Sequence, residues 1–169
     1  LIGWIDDTIP EMGLQLDPDA MEALRAQPRE WVKGYLVYDG MTYGPVGVRL
    51  KGQNSFQPID EKPSFRIKVD EYIPDQTFHG LKDMTFNNMS TDPSMIHERL
   101  AYLVMREAGV TASRCNHLRL TVDGESYGLY ANVETVKKRF LSQFFDDNRN
   151  NPARFEVDQE ATALNAVEN

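Results

Sequence analysis

Cysteine is almost absent. Cys115 stands alone among 169 residues, which excludes an internal disulfide framework and any cysteine-rich zinc centre. A lone thiol reads as a small buried hydrophobe. Cys115 and His117 would share a strand face, but nothing around them marks a thiol nucleophile. Long apolar runs are also missing: no stretch approaches the roughly 18 to 20 residues that a membrane-spanning helix needs, so no transmembrane segment is expected. The three histidines, His79, His97 and His117, show no HExxH or comparable ligand spacing, and no protein-built metal site is expected. Equally absent are a GxSxG elbow, a GxxxxGK[ST] loop and a GxGxxG turn. Basic residues are outnumbered, 18 against 26 acidic, for a net charge of 18 − 26 = −8, which argues against nucleic acid as a partner. The excess acid lies at the two ends; residues 31–140 are nearly neutral. The sequence opens at Leu1 without a basic, apolar leader, and localisation stays open on this ground.

What is present is enough apolar material for one core, 41% of residues with 10% aromatic. A chain of this length buries roughly 70% of its unfolded surface without needing a staple. Asp17 and Pro18 open a short peripheral helix that Pro28 stops. Two β-rich runs, 34–38 and 42–51, flank the hairpin dipeptide Asp39-Gly40. In the second run Val46, Val48 and Leu50 alternate with Gly47, Arg49 and Lys51, one face apolar and the other basic. The run 64–69 repeats the pattern, with Phe65, Ile67 and Val69 opposed to Ser64, Arg66 and Lys68. A short strand is expected over 84–88. The clearest helix begins at Asp92-Pro93 and ends near Ala108 before Gly109, with two apolar faces that predict contacts on more than one side. A second hairpin turns at Asp123-Gly124, followed by a closing helix over 135–145. The expected fold is α+β: a mostly antiparallel sheet of about five or six strands with one main helix packed on it. The expected domains are a peripheral segment 1–30, a body 31–145 and an acidic, poorly ordered tail 146–169.

The most informative constellation is basic. Arg49, Lys51, Lys62, Arg66 and Lys68 fall within twenty residues, and the intervening loop offers Gly52, Asn54 and Ser55. Cationic side chains beside a glycine-containing loop suit a polyphosphate, because charge neutralises it and backbone N–H groups can approach. A solvated strand face that discourages edge pairing accounts for the same residues. A carboxylate on the main helix, Glu98 or Glu107, would orient one of the strand cations as in kinases. For Glu98 the alternative is an exposed acid favouring the helix N-terminus.

The ordered segments GVRLKGQNSF, KPSFRIKVDEY, GLKDMTFNNMSTDPSMIHERLAYLVMREAGV and LRLTVDGESYGLYANVETVKKRFL resemble the CotH family, the spore-coat protein H kinases. The match spans roughly residues 30–145. The resemblance implies the N-terminal lobe of an atypical protein kinase that transfers phosphate from ATP, with Mg²⁺ or Ca²⁺, to Ser or Thr of secreted or coat proteins. It also implies an extracellular, cell-surface or spore-coat setting. In that reading Arg49, Lys51, Asn54 and Ser55 border the phosphates. Lys62 or the Arg66/Lys68 pair supplies the strand cation, Glu98 is its helix partner, and Glu134 contacts adenine where the lobes join. Family members continue into a second lobe bearing the catalytic and metal-binding aspartates. The surroundings of Asp146, Asp147 and Asp158 do not match that lobe, so no catalytic or metal residue is assigned here. The competing expectation is a non-catalytic surface or coat module that binds a protein partner on the same scaffold.

Overall fold

The computed structural model describes residues 8–137, 140, 141 and 144, and the backbone of 154–157 and 164–167. The chain divides into two units, Leu1–Thr135 and Val136–Asn169.

In the first unit, β1 (Glu11–Leu16) leads into α1 (Pro18–Ala26). Then follow β2 (Val32–Tyr38), β3 (Met41–Lys51), β4 (Ser64–Lys68), β5 (Asp83–Asn87), α2 (His97–Glu107), β6 (Cys115–Val122) and β7 (Glu125–Val133). The strands close into a barrel in the order β1-β2-β3-β4-β5-β7-β6. Every neighbouring pair is antiparallel except β1 with β6, which is parallel. This overturns the expected α+β layer of sheet and packed helix. The reason is β1, where Met12, Leu14 and Leu16 are buried and alternate with Glu11, Gly13 and Gln15. Its apolar face completes the interior, and its two edges join β2 to β6, so a sheet becomes a cylinder without free edges. The helices are short, nine and eleven residues, and neither forms a layer.

The barrel interior is filled by the inward residues of each strand. Leu36, Val46, Val48, Leu50, Phe65, Ile67, Phe86, Leu120 and Tyr130 are all fully buried. Burying each such side chain favours folding by about 1.5–3 kcal/mol. Close packing of β1 on β2 needs Gly34: a Cβ there would lie 2.7 Å from Leu16 Cδ2 and 3.0 Å from Val48 Cγ2. The first hairpin turns as expected at Asp39 (φ 50°) and Gly40 (φ 71°), both left-handed as a type I′ turn requires. The β6–β7 hairpin turns likewise at Asp123-Gly124.

Helix α1 begins as the sequence expects, with Asp17 Oδ1 accepting from the Ala20 N–H at 2.7 Å and Pro18 at its first position. It is less peripheral than expected, because Leu24 is 1% exposed and belongs to the core. Helix α2 lies outside the barrel. A small cluster of Met89, Cys115, Ala131 and Val133 on the outer face receives Met95 and Tyr102, yet no residue of α2 is fully buried. Its other face leaves Ile96, Leu100, Leu103, Val104 and Met105 exposed, so only one of the two predicted faces finds a partner in this unit.

In the second unit, the rings of Phe140 and Phe144 meet at 5.0 Å, and the rest of the expected closing helix lies mostly outside the described residues. In the tail, β8 (Arg154–Val157) pairs antiparallel with β9 (Leu164–Val167).

Candidate functional site

Strand alternation puts Arg49 and Lys51 of β3, Ser64, Arg66 and Lys68 of β4, and Asp83, Thr85 and Asn87 of β5 on the outer barrel face. The register then fixes who stands beside whom: Arg49 lies opposite Arg66, Lys51 opposite Ser64, and Lys68 opposite both Gly47 and Asp83. Two guanidinium groups facing each other across a ladder repel. Arg49 is held by stacking on the Trp31 ring at 4.8 Å and by donating from Nη1 to the Arg29 carbonyl at 3.2 Å. Arg66 reaches Asp83 only at 3.8 Å, too long for a hydrogen bond. The Nε–H groups of both arginines are buried with no acceptor among the described residues. Desolvation, then the neighbouring Arg66 and Arg29 charges, depress the Arg49 pKa. Lys51 is similarly depressed by burial, with Glu98 opposing the shift.

At the end of β3, Lys51 Nζ donates to Asn87 Oδ1 at 2.7 Å, and Asn87 Nδ2 donates to Glu98 Oε1 at 2.7 Å. A strand lysine and a helix glutamate are thus joined through an amide. Glu98, expected from the sequence as the partner of Lys62, Arg66 or Lys68, is linked here to Lys51 through Asn87.

The other expected residues lie outside the Lys51–Asn87–Glu98 link. Lys68 is engaged by Glu71 at 2.7 Å, which raises its pKa. Lys62 carries its ammonium over the Tyr130 ring at 5.2 Å, against a residue that points into the barrel. Asn54 is exposed, and Ser55 follows it on the same turn after Lys51. Gly52 starts that turn at φ 120°, where a Cβ would lie 3.0 Å from the Phe56 nitrogen. Asn88, 2% exposed, anchors the loop by donating to the carbonyls of Ser55 and Lys62 at 3.1 and 2.8 Å. Glu134 accepts from Arg114 Nη2, Nε and backbone N–H at 2.5, 2.9 and 3.2 Å, so both of its oxygens are occupied.

The order of these segments along the chain is what a family model reads, and the model described as CotH kinase protein matches residues 48–167. The chain belongs to the CotH kinase protein family. The match begins inside β3 just before Arg49 and Lys51. It takes in β4, β5 and α2, with every residue of the Lys51–Asn87–Glu98 chain, and leaves β1, α1 and β2 outside. No curated protein matches this CotH-family chain. Membership makes the protein kinase-related in the general sense.

Sequence reasoning missed three residues of this cluster. Asn87 is half of an Asn87-Asn88 pair at a strand end, a placement that suggests polar work because such amides rarely finish a strand without a partner. Arg29 and Trp31 flank the hairpin that carries the basic face. A lone tryptophan near a cationic strand is the signal for the stacking seen at Arg49.

Proposed function

We propose that the outer face of β3, β4 and β5 holds the triphosphate of ATP, and that the chain is the nucleotide-binding part of a CotH-type kinase acting on Ser or Thr of secreted or coat proteins. One observation supports this above all: Arg49 and Arg66 oppose each other with buried Nε–H donors that no atom of the described residues accepts. Leaving such donors unmet is unfavourable. A phosphate group meets both needs, taking the donors and offsetting the repulsion between the arginines. Trp31 keeps the Arg49 guanidinium plane fixed, and Lys51 adds a point charge at the strand end. Asn54 and Ser55, on the turn that leaves Lys51, border the same face. Lys68, already paired with Glu71, contributes mainly to the field. Glu134, paired with Arg114, has no place in the binding step.

The family implies Mg²⁺ or Ca²⁺ with the nucleotide. Among the described residues, no three His, Cys, Asp or Glu side chains cluster as a metal site. No step is routed through a divalent ion.

Thermal unfolding with and without millimolar ATP tests the reading. A ligand held only by the folded state at about 100 times its Kd adds about 2.7 kcal/mol. Arg49→Ala and Arg66→Ala should each weaken ATP about tenfold or more, from loss of a charge-assisted bond of ~1.5–3 kcal/mol. Unchanged affinity in both variants would refute the phosphate assignment. The exposed apolar face of α2 favours a second reading, a non-catalytic module that binds a protein partner. It predicts no shift with ATP in any variant.

A further inference from the structure

We propose that Asn87 is a positioning residue that ties the ammonium of Lys51 to helix α2, so that the placement of α2 sets the charge state and reach of Lys51. Its consequence for ATP rests on the nucleotide reading above.

Lys51 can only donate hydrogen bonds and an ionised Glu98 can only accept them. They form no direct pair here; both engage Asn87, each at 2.7 Å. An amide offers an acceptor on one corner and donors on the other, and its neighbours dictate its orientation. Flipped, it would set its NH₂ against an ammonium and its oxygen against a carboxylate. The β5 ladder fixes the Asn87 backbone, which stands opposite Ala131 of β7. The sheet end of the tie is therefore rigid, and the helix end is the part that can move.

Helix α2 has few other holds. None of its residues is fully buried and its N-cap, Ile96, makes no side-chain cap bond. Its other attachments include Tyr102 on the Met89, Cys115, Ala131 and Val133 cluster, the Arg106 Nη1 bond to the Ser113 carbonyl at 3.2 Å and, at its first residue, the Asp92 carboxylate, which accepts from the His97 N–H at 2.8 Å. Glu98 in the first turn is its polar link to Asn87 on β5. A displacement of α2 withdraws Glu98 from Asn87 and leaves Lys51 half-buried beside Arg66 with its counter-charge further away. The lysine's pKa then falls further, or its ammonium swings from the phosphate position. Whatever engages the exposed apolar face of α2 is felt at Lys51 through a single amide.

The test needs no nucleotide in its first arm. The acetylation rate of Lys51 at fixed pH, read by mass spectrometry on the intact folded chain, reports its neutral fraction. It is compared in wild type, Glu98→Gln, Asn87→Ala and the double variant. Glu98→Gln should raise the wild-type rate at least about threefold, the effect of moving the pKa by half a unit. In the Asn87→Ala background the same change should have less than about half that effect on a logarithmic scale. Equal effects in both backgrounds overturn the proposal, since Glu98 would then act on Lys51 without the amide. Should Asn87→Ala fail to fold, Asn87→Asp keeps the size and the acceptor for Lys51 while breaking the donor link to Glu98, and the same loss of coupling is expected. In the second arm, ATP affinity should fall about tenfold in Glu98→Gln and in Asn87→Ala, and no further in the double variant. Coupling at Lys51 in a chain that does not bind ATP upholds the tie and refutes the nucleotide reading. ATP binding without coupling refutes the tie alone.

Discussion

Replacing Arg114 by alanine should destabilise the protein more than replacing its partner Glu134. The two residues extend the β6–β7 ladder by one step beyond Cys115 and Val133: the Glu134 N–H donates to the Arg114 carbonyl at 2.8 Å, while the Glu134 side chain accepts three bonds in return. The exposure of the pair is unequal, 6% for the Glu134 side chain and 24% for that of Arg114. Arg114→Ala strands a carboxylate that water barely reaches, for which the cost is about 3–5 kcal/mol. Glu134→Ala takes the carboxylate from a guanidinium that is 24% exposed, and about 1.5–3 kcal/mol of charged hydrogen bonding is lost. Against a total of roughly 5–15 kcal/mol, the first change brings the chain close to unfolding and the second does not. Urea denaturation at neutral pH measures both, and a paired Arg114→Met, Glu134→Leu change should recover most of the loss because it removes both charges together. If Arg114→Ala costs under about 1 kcal/mol, or less than Glu134→Ala, Glu134 is solvated and the reasoning fails. ATP affinity in a folded Glu134→Gln variant should equal wild type, since this carboxylate braces the ladder.

Two further outcomes follow from burial on the face beneath α2. His117 has its Nε2 buried without a partner among the described residues. Its pKa is lowered by desolvation, then by Arg99, against opposing contributions from the Met95 backbone and Glu98. The unfolded chain therefore takes up the proton first as pH falls. The stability tied to His117 is complete above the ordinary value of about 6.5 and is lost as pH drops below it. Stability against pH for His117→Gln should be flatter than wild type over that range, and parallel profiles would refute the assignment. Cys115 is 2% exposed and its thiol is pushed up to about 12, chiefly by burial. Alkylation near pH 8 should follow global unfolding, whereas native-state labelling within about tenfold of a free thiol would contradict this burial.

The turn chemistry was readable because it is local. Asp39-Gly40 and Asp123-Gly124 turn where the dipeptides place them, and the alternation in 42–51 and 64–69 correctly separates barrel interior from basic exterior. Strand β1 was not readable. It is six residues long, ends directly in the Asp17 cap, and owes its place to β6, a partner more than a hundred positions away. The start of α2 was misplaced for a local reason. Met95 adopts φ 57°, so Asp92 does not open the helix; its carboxylate accepts from the Ser94 and His97 N–H groups. Hydrogen bonding, first to the Ser94 hydroxyl, holds that carboxyl at about 2. Periodicity revealed two apolar faces on α2 but not that one would remain uncovered. At the site, Lys51 and Glu98 were both named, yet their link was not. Which strand cation lies nearest the helix depends on the lateral order of β3, β5 and α2 around the cylinder, and no residue pattern within one strand encodes that order.

The parallel seam between β1 and β6 bears on how the protein comes into being. The Leu16 N–H is held by the Asp123 carboxylate across 107 positions, so the ring has no complete circumference until nearly the whole barrel sequence is present. Non-local pairings of this kind slow folding toward milliseconds or seconds. During vectorial synthesis the outer edges of β1 and β5 stay unpaired throughout that wait. A nascent chain of this protein is therefore a natural client for whatever factor shields strand edges, and its yield on expression should depend on the speed of ring closure more than on the stability of the finished barrel.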